Sequence, residues 1–178
     1  MRIFTLCGSP RTQSSNRALL RAYERLAPST MSFRHFEQLH TLPHFNPDLD
    51  GDRVPQEVAI LRSMIAESDV VVISTPEYAH ALPGSLKNAL DWLVSDPAFV
   101  GKAIVILHIS RGSTWALESL KEVLTTMSAE IIESAFVSIN LGSNQVNEDA
   151  ILAKVNFFQL LQNSLHNLTA ARRCEKHS

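Results

Sequence analysis

Near the amino terminus, Gly8-Ser9-Pro10-Arg11-Thr12-Gln13-Ser14-Ser15-Asn16 crowds hydroxyls and a guanidinium between an apolar run and a segment with helical spacing. The first N–H groups of a helix have no intrahelical partner, and the helix dipole favours negative charge there, so such a loop is a ready anion site. A phosphate monoester offers several acceptor oxygens to these donors. The simpler alternative is a plain N-cap, with Ser or Asn doing no more than starting the helix. Neither Gly-x4-Gly-Lys-Ser/Thr nor Gly-x-Gly-x-x-Gly occurs, which leaves a mononucleotide phosphate as the ligand such a loop would take.

Two further loops carry polar and small residues. Thr75-Pro76-Glu77-Tyr78-Ala79-His80-Ala81-Leu82-Pro83-Gly84 has two stiffening prolines, a glycine suited to a tight approach, and a tyrosine with a flat apolar body and a polar tip. Its backbone can present donors and acceptors to the edge of a planar heterocycle, although Pro-rich strand-to-helix loops are common and a lone His80 is more often solvated than catalytic. Ser110-Arg111-Gly112-Ser113-Thr114-Trp115 permits a close backbone approach, and its Ser and Thr could equally be helix caps.

The elements that position these loops follow from periodicity. Apolar runs at Ile3 to Cys7, Val70 to Ser74, Ala103 to Ile109 and Ile131 to Ile139 are expected strands, and the middle two have the near-continuous apolar character of strands covered on both faces. Ser32 to Glu37 is expected as an edge strand. Helical spacing occurs over Asn16 to Ala27, over Val58, Leu61 and Ile65 after Pro55, and from Gly84 to Val94. It recurs over Trp115 to Met127 and over Ala150 to Leu168, with Ile151, Val155, Phe158, Leu161 and Leu165 on one stripe.

Strict alternation of strand and helix predicts right-handed βαβ units and a doubly wound five-stranded parallel α/β sheet, order 2-1-3-4-5, with helices on both faces. Its switch point lies between strands 1 and 3, and ligands bind beyond the carboxyl ends of such strands. All three loops fall at that edge. On the helix from Gly84, the Leu86, Leu90 and Leu93 face is expected on the sheet, turning Trp92 away from it toward a partner subunit or under a neighbouring loop.

Bulk properties narrow the class. With 178 residues, 45% hydrophobic and 19% charged, the chain suits one globular domain, expected over 1–168 with a polar tail at 169–178. Sixteen basic and 18 acidic side chains give a net charge of −2, which provides no basic field for nucleic acid. Cys7 and Cys174 form no metal-ligand spacing or disulfide framework, and no stretch reaches membrane-spanning length, so a cytoplasmic location is expected.

Together, Gly8 to Asn16, Leu42-Pro43-His44-Phe45-Asn46-Pro47-Asp48-Leu49-Asp50 and Pro76 to Leu93 resemble the NADPH-dependent FMN reductases of the flavodoxin-like fold. The third stretch is the most specific, with Pro-Glu-Tyr, Pro-Gly and Leu-Lys-Asn-Ala-Leu-Asp-Trp at the family's spacing. The resemblance implies an FMN phosphate held by Ser9, Arg11, Ser14, Ser15 and Asn16. It implies an isoalloxazine ring lined by Pro76, Glu77, Tyr78 and Ala79, with Ser110 and Gly112 near its other side.

It further implies hydride transfer from NADPH, or NADH, to the flavin, and then electron transfer to a flavin, quinone, azo compound or metal oxyanion. The chemistry would belong to the flavin, so no general acid, base, nucleophile or metal is assigned. Arg11 and Arg111 are the candidates for the 2′-phosphate of NADPH, and a homodimer or homotetramer is expected. One departure stands out: many members carry Asn directly after Pro-Glu-Tyr, where this chain has Ala79. An electron-transfer flavoprotein, or a flavin sensor without NADPH turnover, is the alternative reading.

Overall fold

In the computed structural model, which describes residues 1–142 and 146–174, strands β1 (Arg2–Cys7), β2 (Ser32–Phe36), β3 (Val70–Ser74) and β4 (Ala103–Ile109) form most of a parallel sheet, with β2 at its edge. Helices α1 (Ser15–Leu26), α2 (Gln56–Ala66) and α3 (Gly84–Leu93) connect them in turn, and α4 (Trp115–Thr126) follows β4. The chain then forms β5 (Glu130–Ile131), β6 (Val137–Ile139), α5 (Glu148–Leu152) and α6 (Val155–Cys174). The strand order is β2-β1-β3-β4-β5, with β6 also paired to β4, so the switch point lies between β1 and β3 as the flavodoxin-like reading requires.

Alternation along each strand divides the core. Ile3, Val70, Val72, Val105 and Leu107 pack with Leu19 and Tyr23 of α1 and Leu161 of α6. Phe4, Leu6, Val71, Ile73, Ile104 and Ile106 face the opposite layer, with Leu61 of α2, Leu90 of α3 and Leu120 of α4. Because β1, β3 and β4 are covered on both faces, their sequences show continuous apolar runs rather than clean alternation.

Four expectations need correction. The single fifth strand is two short strands separated by a 3-10 turn at Glu133–Ala135: β5 pairs with the start of β4 and β6 with its end. The interruption frees carbonyls of that turn to meet α6, where Ser164 Oγ donates to Ala135 O and Asn167 Nδ2 donates to Ser134 O. Likewise, the helix expected over Ala150 to Leu168 is broken between α5 and α6. The break rephases the chain, so that Phe157 is buried while Val155 is exposed, although both ends of the apparent stripe reach the same core.

The expected helix end at Leu168 also moves, because α6 continues through Cys174; residues 175–178 lie outside the described residues. Finally, of the two places expected for Trp92 the partner-facing one fails and the other holds: the side chain is fully buried under a neighbouring loop. The segment between β2 and α2 wraps over the outer side of α3, with Trp92 Nε1 donating to Pro43 O at 2.8 Å and the Phe45 ring standing edge-on to the indole at 5.0 Å. Asn88 fastens the same segment, donating to Pro43 O at 2.9 Å and accepting from Phe45 N at 2.7 Å.

Candidate functional site

The carboxyl ends of β1 and β3 meet closely at Gly8. Its N–H donates to Ser74 O at 2.8 Å, and a Cβ there would lie 2.2 Å from Thr75 Oγ1, so any side chain would force the two strand ends apart. The loop that follows climbs to α1. Ser9, Ser15 and Asn16 are buried polar residues, an arrangement that requires partners for each. Asn16 Oδ1 accepts from Ser74 Oγ at 2.9 Å, which ties the first turn of α1 to the end of β3.

Ser14 occupies the N-cap position with extended backbone but makes no side-chain cap bond. Its hydroxyl is turned instead to the Cys7 thiol, whose pKa burial pushes up, leaving it a poor nucleophile. No acidic residue lies in the first turn of α1. The start of this helix therefore has neither a side-chain cap nor an acidic residue in its own first turn.

Across the switch point, the loop after β3 is held by Glu77. One carboxylate oxygen accepts from Ala116 N in the first turn of α4 at 3.0 Å; the other accepts from Ser113 Oγ and lies 3.1 Å from His80 Nδ1. The Ala116 N–H, then the Ser113 hydroxyl, hold the Glu77 carboxyl below its ordinary pKa, against a smaller opposing effect of burial. The carboxylate thus serves as the cap that Thr114 does not supply, since the Thr114 hydroxyl donates to Glu118 at 2.6 Å.

These parts enclose a cavity of about 290 Å3. Ser9, Arg11, Ser14, Ser15 and Asn16 form one end, and Pro76, Glu77 and Tyr78 line its side. Three expected residues lie beside the cavity rather than on its wall: Ala79 is in a turn at the rim, and in the β4 loop the wall is formed by Arg111 and Ser113 instead of Ser110 and Gly112. A larger groove of about 600 Å3 lies along α1 and shares Ser14 and Ser15, but it includes nothing from the β3 or β4 loops. Its arginines are already paired, Arg17 with Glu37 at 3.1 Å and Arg21 with Glu148 at 3.8 Å, so the smaller cavity joins the chemistry-bearing loops better.

Sequence reasoning passed over Thr75 and His108, which also line the cavity. His108 lies near the end of β4, with Nδ1 3.0 Å from Ser138 Oγ of β6. Burial lowers its pKa and the Glu77 charge opposes that shift, so the site favours the neutral imidazole. The available signal was a histidine interrupting an apolar strand next to a ligand-side loop.

The chain is 35% identical over 115 residues to a quinone reductase of Escherichia coli, a match covering 63% of this chain and 61% of that protein. It is 28% identical to an NAD(P)H-dependent FMN reductase of Pseudomonas aeruginosa, across 94% of this chain and 93% of the relative. Among solved structures, the flavoenzyme NAD(P)H:(acceptor) oxidoreductase FerB of Paracoccus denitrificans superposes with a TM-score of 0.73 at 27% identity, covering 93% of each chain. The family model described as NADPH-dependent FMN reductase matches residues 1–144, and the chain belongs to that family.

Proposed function

We propose that the chain is an FMN-dependent NAD(P)H oxidoreductase that reduces a quinone or a free flavin. The observation that carries the reading is the start of α1: a helix N-terminus without a side-chain cap or acidic residue, at one end of a cavity that runs to Tyr78 across the switch point. A phosphate at that end suits both the unmatched helix dipole and the polar loop. Ser9, Arg11, Ser14, Ser15 and Asn16 would hold the FMN phosphate, through backbone N–H groups, hydroxyls and the guanidinium.

Pro76, Glu77 and Tyr78 would line the isoalloxazine with Ala79 beside them at the rim, and Ser110 and Gly112 would flank its other side next to the Arg111 and Ser113 wall. Because the Glu77 carboxylate is engaged by Ser113, Ala116 and His80, its contribution is to fix the loop against α4, while backbone groups of that loop face the ring. Bound FMN supplies reversible two-electron chemistry. The protein aligns donor and acceptor and needs no side chain acting as acid, base or nucleophile.

NADPH is the proposed donor, with NADH as a second, and Arg11 and Arg111 as the groups for its 2′-phosphate. The quinone acceptor is supported by the relative named for that activity, although the match spans 61% of its length. Azo compounds and metal oxyanions are further acceptors of the same chemistry. Residues 1–168 form the proposed FMN-binding unit, assembled as a homodimer or homotetramer in the cytoplasm; no helix among the described residues is long and apolar enough to cross a membrane.

The test is anaerobic mixing of FMN-loaded protein with NADPH, and separately NADH, followed at about 450 nm, where the flavin reports its own reduction. Rapid bleaching is expected. Flavin that stays bound and oxidised with both donors would favour the electron carrier or sensor.

A further inference from the structure

The rim of the cavity holds a feature that FMN binding leaves unexplained. Tyr78 and Ala81 exchange two backbone hydrogen bonds, N to O at 3.1 and 3.0 Å, around Ala79 and His80 with φ of 50° and 58°. Two consecutive positive φ values make a type I′ turn, whose central positions are cheapest for Asn and Gly. A Cβ in this region meets the neighbouring carbonyl, so both residues sit there at a stability cost. Glycine would remove that cost at position 80 but would also remove a side chain.

That side chain is tethered on two sides. His80 Nδ1 lies 3.1 Å from the Glu77 carboxylate, and the imidazole stands edge-on to Trp115, with ring centroids 6.3 Å apart and planes at 78°. Trp115 is 60% exposed at the start of α4, and Tyr78 is 43% exposed where it borders the cavity. Strain at the turn, the carboxylate tether and an uncovered indole thus converge on one spot beside the site.

We propose that His80 and Trp115 form the docking edge for the electron acceptor, and that the acceptor they take is an uncharged planar ring of the quinone class. An electron-rich indole face suits an electron-poor ring, and the Glu77 carboxylate 3.1 Å from His80 disfavours an anionic acceptor at that edge. The His80–Trp115 edge would add stacking area at the open side of the cavity and so select planar acceptors over small inorganic ones. This rests on the oxidoreductase reading above.

The experiment uses FMN-loaded, oxidised protein without any nicotinamide donor, so that no turnover occurs, and measures the Kd of 1,4-naphthoquinone by equilibrium dialysis. Trp115→Ala is expected to weaken binding about ten-fold, Trp115→Phe to recover most of it, and His80→Gly to weaken it about three-fold despite relieving the turn. In turnover, KM for naphthoquinone should rise by the same factors while ferricyanide reduction is unaltered.

Unchanged naphthoquinone Kd in Trp115→Ala and His80→Gly, with FMN still bound, would overturn the docking edge alone. The same unchanged Kd accompanied by a shift in sedimentation for Trp115→Ala would assign the indole to a contact between copies of the chain and overturn it too. Protein that takes up no FMN would sink the oxidoreductase reading itself, a result visible before any quinone is added.

Discussion

The starts of α1 and α4 are similar in sequence and opposite in use. Both follow a strand of the sheet, both have a hydroxyl residue at the N-cap, Ser14 and Thr114, and neither hydroxyl caps its helix. At α4 the dipole is met by a carboxylate of the protein itself, Glu77, reaching from the β3 loop to Ala116 N. At α1 no acidic side chain lies in the first turn, and the loop lines the cavity. A helix N-terminus is therefore an anion site only where the fold declines to fill it. Here the fold fills one and leaves the other.

Making α1 resemble α4 is the severest test of this contrast. Ser14→Asp places a carboxylate at the N-cap of α1, in the extended backbone conformation that capping requires. The helix should gain stability, about 0.5 kcal/mol by urea denaturation of the apoprotein. FMN should be repelled by the carboxylate and lose its helix-start donors, weakening by about 100-fold in a fluorescence titration. Opposite signs for stability and affinity are the signature. Unchanged FMN affinity would move the phosphate away from this helix.

The converse variant makes α4 resemble α1. Glu77→Gln keeps the shape but removes the charge from the α4 dipole and weakens the bonds to Ser113 and Ala116, an expected loss of about 1 kcal/mol. The pH dependence has a defined sign. The Glu77 carboxyl is held below its ordinary value of 4.5, so its stabilisation is complete above that pH and is lost as pH falls through the depressed folded value. The difference in unfolding free energy between wild type and Glu77→Gln should therefore be full at neutral pH and shrink in that acid range. A difference that persists undiminished there would mean that the strut acts through shape and not charge.

Much of this arrangement was legible in the sequence because strand runs and loop composition are local properties. Val70 to Ser74 and Ala103 to Ile109 declared themselves by continuous apolar character, and alternation then fixed which loops share an edge. The loop Gly8 to Asn16 was recognisable as polar and helix-initiating before its partners were known. What could not be read were pairings between distant segments. Nothing local says that Glu77 serves α4, nor that Pro43 and Phe45 cover Trp92. The break before Val155 was hidden for a related reason: a second helix contributing to the same core preserves the apparent period while changing its phase.

The smallest expected effect sharpens the contrast from the loop that carries Glu77. Ala79 occupies the first central position of the turn at φ 50°, where Asn is tolerated far better than Ala because its short polar side chain bonds locally. Ala79→Asn should stabilise the protein by about 0.4 kcal/mol, seen as a rise in Tm of about 1–2 °C. If the turn serves chiefly to hold Glu77 and His80 in place, the gain should fall in Glu77→Gln, where part of that tether is already lost. A double-mutant cycle between positions 77 and 79 measures it. Strict additivity would separate the strained turn from the strut, leaving the capping of α4 to the carboxylate alone; a coupling of a few tenths of a kcal/mol or more would make turn and cap one unit.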